Sequence, residues 1–123
     1  MNPHQIESKI VDLYNAEATK YDSKLGYGIQ DGGEKSAWIQ DLFPLLPPVA
    51  GLNVLDCGVG TGAFAQLWLE QGCKVTGIDI TQQMVDRIDQ QLPENLRSNL
   101  KLRIGNCLDA TEFPKESFDL IVC

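Results

Sequence analysis

Val54-Leu55-Asp56-Cys57-Gly58-Val59-Gly60-Thr61-Gly62 joins an apolar run to an acid and three alternating glycines. Glycine has no Cβ and takes positive φ freely, so such a loop lets backbone N–H groups approach a bound molecule closely. The residues that follow, Ala63 to Gly72, place apolar side chains at Phe64, Leu67 and Trp68 and close on a glycine, the pattern of an amphipathic helix with its C-cap. The stretch reads as strand, glycine loop and helix N-terminus.

Downstream, strands alternate with helices. Leu52 to Cys57, Cys73 to Asp79, Leu100 to Ile104 and Phe118 to Cys123 have strand character, and Thr81 to Leu92 is a helix. This alternation predicts parallel β/α units in a Rossmann-like, doubly wound α/β sheet. Thr81 is placed to N-cap its helix, Met84, Val85, Ile88 and Leu92 form the apolar stripe, and Pro93 ends it. Leu100 to Ile104 alternates strictly, as an edge strand does, whereas Leu120 to Cys123 is continuously apolar, as expected of a central strand covered on both faces.

Upstream, Ile6, Ile10, Leu13, Tyr14 and Tyr21 recur at helical spacing and predict a first helix from Gln5 to about Tyr21. Gly26, Gly28, Gly32 and Gly33 crowd a segment expected to be a lid-like loop around Tyr27. A second helix is expected from Glu34 to Leu46, with Trp38, Leu42 and Leu45 or Ile39, Phe43 and Leu46 as its face, stopped by Pro47-Pro48. Tyr14, Tyr21 and Trp38 are expected to face the core, and Phe64 and Trp68 to pack along a helix. The chain divides into residues 1–48, two helices and the loop, and residues 49–123, the β/α core.

The 123 residues, 43% hydrophobic and 22% charged, suit one soluble domain. A net charge of -7 opposes a nucleic-acid partner, whose phosphates are met by Lys and Arg. There is no apolar run of membrane-spanning length, and Met1 to Gln5 does not resemble a signal peptide, so a cytoplasmic location is expected. Cys57, Cys73, Cys107 and Cys123 lack paired spacing and read as free buried thiols; with His4 the single histidine, no metal site is expected.

Asp79 closes the second strand 21 positions beyond Gly58, where a carboxylate accepts hydrogen bonds from ribose hydroxyls. The spacing Gly58-x-Gly60-x-x-Ala63 also fits a dinucleotide loop, which leaves an NAD-binding domain open as an alternative. Asp56 would repel a pyrophosphate but pair with an ammonium or a sulfonium centre. Its other reading is a structural acceptor for loop N–H groups.

Over roughly residues 50 to 123 the chain resembles the class I S-adenosylmethionine-dependent methyltransferases. Asp56 to Gly62 fits the family's D-x-G-x-G-T-G, Val75 to Ile80 looks like its second strand, and Gly105-Asn106-Cys107-Leu108-Asp109 looks like its adenine loop. The resemblance implies S-adenosylmethionine as cofactor and S-adenosylhomocysteine as product. It also implies a cofactor-binding set of Asp56, Gly58, Gly60, Thr61, Gly62, Asp79, Ile80, Asn106, Cys107 and Cys123. Asp56 would hold the methionine amino group, Asp79 the ribose, Ile80 and the Cys107 N–H the adenine. Asn106 stands where the family has an acid, with Asp109 as the other candidate acceptor; Tyr21 is a further site candidate.

The implied chemistry is in-line methyl transfer to a small-molecule acceptor, with no catalytic residue assigned; Asp119, at a strand start, is poorly placed as a base. The family's sheet has seven strands, and this chain supplies four. The expectation is a domain truncated after strand four, whose exposed edge pairs with a second copy or another chain. A cofactor-holding or partner-binding module without turnover is the other alternative.

Overall fold

The computed structural model describes residues 1–18, 32–109 and 113–123. Tyr21, and the expected lid as far as Asp31, lie outside them; Gly32 and Gly33 are helical.

Helix α1 runs from Pro3 to Glu17. It starts earlier than the apolar spacing predicts because Asn2 and Gln5 form a capping box: the Asn2 side chain accepts from the Gln5 N–H at 2.9 Å, and Gln5 Oε1 accepts from the Asn2 N–H at 3.0 Å. The side turned to the body carries Glu7, Val11, Asn15 and the buried Ala18. The apolar stripe, Ile6, Ile10, Leu13 and Tyr14, remains exposed, which corrects the expectation of a core-facing stripe.

Helix α2, Gly32–Leu42, passes into a 3-10 turn at Phe43–Leu45. Pro44, not Pro47, ends the α-helix, since proline has no N–H to continue the ladder. Leu42, Phe43 and Leu46 reach the core while Leu45 is exposed. Phe43 stacks on Trp68 with ring centroids 5.0 Å apart and 16° between the planes.

The remaining elements are β1 (Asn53–Cys57), α3 (Ala63–Glu70), β2 (Lys74–Asp79), α4 (Gln82–Gln91), a short α5 (Glu94–Arg97), β3 (Leu100–Ile104) and β4 (Leu120–Val122). The four strands form one parallel sheet in the order β3-β2-β1-β4. Val54, Trp68, Val75, Val85, Ile88 and Leu92 anchor the core, and the α4 stripe is buried as expected. Strand β4 pairs with β1 through Val54↔Leu120 to Asp56↔Val122. Leu120 and Val122 lean on the core, but Ile121 is 63% exposed, so β4 is not the doubly covered strand its composition predicts.

At the amino end of the sheet Asp119 exchanges hydrogen bonds with Asn53: its N–H donates to the Asn53 carbonyl and its Oδ2 accepts from the Asn53 N–H, both at 2.8 Å. The glycine loop, Asp79 and Gly105 gather at the opposite, carboxyl end, where parallel sheets place their ligands.

Candidate functional site

The loop after β1 has φ of 71° at Gly58, 56° at Gly60 and 89° at Gly62, all in the region that side chains disfavour. It is fastened to β2. The N–H groups of Gly58 and Val59 both donate to the Ile78 carbonyl, at 2.8 and 3.0 Å. A Cβ on Gly77 would sit 2.8 Å from Val59 Cγ2, so the bare backbone of β2 makes the seat for the loop. Gly62 abuts Ile88 of α4, 3.0 Å from where its Cβ would be.

Asp79 clasps this assembly. Its Oδ2 accepts from the Gly60 N–H at 2.8 Å; its Oδ1 accepts from the Thr81 N–H at 2.9 Å and the Thr81 hydroxyl at 2.6 Å. Thr81 has extended N-cap backbone angles but makes no side-chain cap, because its hydroxyl turns back to the carboxylate. A carboxylate offers about four acceptor sites, and three are engaged here, which leaves room for one further donor.

Two cavities flank Gly58. The first, about 260 Å³, is lined by Tyr14, Gly58, Gly60, Ile78, Asp79, Ile80, Met84, Gly105, Asn106 and Cys107. The second, about 350 Å³, is lined by Trp38, Leu42, Asp56, Gly58, Val59, Phe64, Trp68, Val122 and Cys123. Where a Gly58 Cβ would project there is no atom within 4 Å. Thr61 and Gly62, both buried, line neither cavity and shape the loop from beneath.

Asp56 is 5% exposed, and its buried Oδ2 has no hydrogen-bond partner among the described residues. Burial first, and the charge of Asp79 second, push its carboxyl from the ordinary 3.8 up to about 7. The loop N–H groups do not satisfy this oxygen, so the structural-acceptor role does not account for it. A buried carboxylate with an orphan oxygen, on a residue that lines a cavity, is a place for a donor, and a cationic one meets it best.

Asn106 closes a turn: its Oδ1 accepts from the Leu108 N–H at 3.0 Å, and its main-chain carbonyl from the Asp109 N–H at 3.0 Å. Its side-chain carbonyl is therefore partly spent within the loop, while Asp109 is exposed and does not line the first cavity. Only Cys73 of the four thiols is buried, its Sγ donating to the Val49 carbonyl at 3.1 Å; Cys57 is half-buried, and Cys107 and Cys123 are exposed. Burial foremost, and then the neighbouring Cys107 and Cys123, raise the Cys57 thiol above its ordinary range.

Tyr14 and Trp38 face these cavities rather than the core. Spacing along a helix marks an apolar stripe but does not say which side meets the body; the small and polar face of α1, through Asn15 and Ala18, was the available signal.

Residues 54–123 match the model of a family described as a methyltransferase domain. A demethylmenaquinone methyltransferase of Tropheryma whipplei is 30% identical over 118 residues, covering 94% of this chain and 46% of that protein. An S-adenosylmethionine-dependent methyltransferase structure from Mesorhizobium loti is 31% identical with a TM-score of 0.56, covering 69% of this chain and 38% of the other. A DhpI–SAM–HEP complex, 23% identical, shares the fold at a TM-score of 0.66 over 98% of this chain and 51% of the other. The chain spans less than half the length of these curated relatives.

Proposed function

Because this chain belongs to the class I S-adenosylmethionine-dependent methyltransferases, with S-adenosylmethionine as cofactor, we propose that its two cavities hold the two ends of that molecule. Asp79, Ile80, Asn106 and Cys107 take the nucleoside; Asp56, Gly58 and Cys123 take the methionine end. The observation that carries this assignment is Asp56, which lines the second cavity and carries a buried Oδ2 without a partner among the described residues. A pyrophosphate in that place would meet a carboxylate, which disfavours NAD.

Asp56 serves as a carboxylate, accepting from the α-ammonium after losing its own proton. Asp79 has one acceptor site left for a ribose hydroxyl while its other three hold the Gly60 N–H, the Thr81 N–H and the Thr81 hydroxyl. Open space at Gly58 lets the ligand cross from one cavity to the other. Phe64, Trp68 and Val59 wall the second cavity against water. When bound, the cofactor supplies a sulfonium methyl and a thioether leaving group for in-line attack by an oxygen, nitrogen, sulfur or carbon nucleophile of a small acceptor. The protein's share is alignment and dryness, so no side chain need act as a base.

We further assign residues 1–48 to the leading helical part of the domain and the β4 edge, where Ile121 stands exposed, to pairing with another strand of this or a second chain.

Calorimetric titration with S-adenosylhomocysteine tests the cofactor assignment. Wild-type protein should bind it without displacement by NAD, and Asp79→Ala should weaken binding at least about tenfold, since charge-assisted hydrogen bonds are worth about 1.5–3 kcal/mol each. A folded protein that prefers NAD, or binds neither, overturns it. Binding with no transfer to any acceptor marks a cofactor-holding module.

A further inference from the structure

The matched family segment begins at Val54, yet each cavity takes one aromatic ring from upstream of it. Tyr14 of α1 lines the first cavity together with Gly58, Gly60 and Gly105, and is 39% exposed. Its neighbour Asn15 accepts from the Gln83 N–H at 3.4 Å, which ties this part of α1 to the first turn of α4. Trp38 of α2 lines the second cavity with Asp56 and is 43% exposed. It meets Phe64 edge-on, with centroids 5.1 Å apart and 83° between planes, and a Lys35–Glu70 ion pair ties α2 to α3.

Large aromatic rings left half in water at the mouths of cavities gain most when a ligand covers them. The ligand ends assigned above differ in what a ring offers them. A flat base stacks on a phenol ring, and a cationic ammonium is drawn to the face of an indole. We propose that the two leading helices are part of the ligand site: Tyr14 is the wall on which the base rests, and Trp38 is the aromatic face beside the cationic end. This inference rests on the cofactor assignment above. Under it, Asp56 and Trp38 divide one task, charge from one side and polarisable surface from the other, while Tyr14 closes the side of the nucleoside cavity that the glycine backbones leave open.

The chain contains two tryptophans, and Trp68 is 1% exposed, so acrylamide quenching of intrinsic fluorescence reports on Trp38. Saturating S-adenosylhomocysteine should shield the wild-type protein from acrylamide, whereas adenosine should not. In titrations, Tyr14→Ala should weaken both S-adenosylhomocysteine and adenosine roughly tenfold, with Tyr14→Phe close to wild type. Trp38→Ala should weaken S-adenosylhomocysteine roughly threefold to tenfold and leave adenosine unchanged. Unchanged quenching at saturation, or wild-type affinity in both folded alanine variants, overturns the proposal while the cofactor assignment stands. Failure of the wild-type chain to bind either ligand removes the cofactor assignment first, and this inference with it.

Discussion

If Asp56 receives the ammonium as proposed, it sets the pH range over which the protein takes a cationic ligand. Its carboxyl lies at about 7 in the ligand-free protein, raised by burial first and by Asp79 second. Only the ionised fraction can receive an ammonium, and apparent affinity scales with the competent fraction. That fraction is about 0.9 at pH 8, about 0.5 at pH 7 and about 0.1 at pH 6. The dissociation constant for S-adenosylhomocysteine should therefore rise roughly tenfold between pH 8 and pH 6, a loss of about 1.3 kcal/mol. Calorimetry at pH 7 in two buffers of different ionisation enthalpy should also show about half a proton released per ligand bound. Asp56→Asn should bind more weakly and lose the pH dependence. A wild-type constant that stays level from pH 8 to pH 6, or the same slope in Asp56→Asn, would refute the reasoning.

The same carboxyl acts on folding with the opposite sense. Its folded pKa is raised above the ordinary 3.8, so its contribution is fully present below about pH 4 and is lost as pH rises through about 7. The loss is at most about 4 kcal/mol, and Asp56→Asn should melt above wild type at pH 8 and not at pH 4. Gly58→Ala meets no atom but must hold φ of 71°, so thermal unfolding should register about 1–2 kcal/mol, with a larger loss of ligand affinity because the new methyl enters the space between the cavities. Trp68→Ala empties the stack under Phe43 and should cost about 3–5 kcal/mol in denaturant unfolding.

The alternation of strands and helices and the α4 stripe were legible because they rest on periodicity and glycine spacing, both local in sequence. Leu100 to Ile104 alternates and forms an edge; Met84, Val85, Ile88 and Leu92 repeat at helical spacing and are buried. What stayed hidden depends on how side chains are aimed once the elements are in place. Thr81 is a good cap residue by type, but type alone does not decide that its hydroxyl turns back two positions to Asp79 and not forward to the helix. Tyr14 and Trp38 are apolar enough for a core, and only the packing of α1 through Asn15 and Ala18 turns Tyr14 to a cavity. Pro47-Pro48 is the more conspicuous stop signal, yet the single missing N–H of Pro44 suffices to end the helix. Asp56 stands out in the sequence as a candidate, but its unpartnered oxygen appears only when the strands are assembled.

The seat at Gly77 bears on how such a loop can be moved between proteins. The shape of Asp56 to Gly62 is not a property of those residues alone, since Val59 occupies the place where any side chain at Gly77 would begin. Transplanting the glycine loop onto another strand and helix without the bare position on the neighbouring strand would lift Val59 off the sheet and misdirect the N–H groups of Gly58 and Gly60. The portable unit is a pair of adjacent strands, with a loop on one and a vacancy in the other.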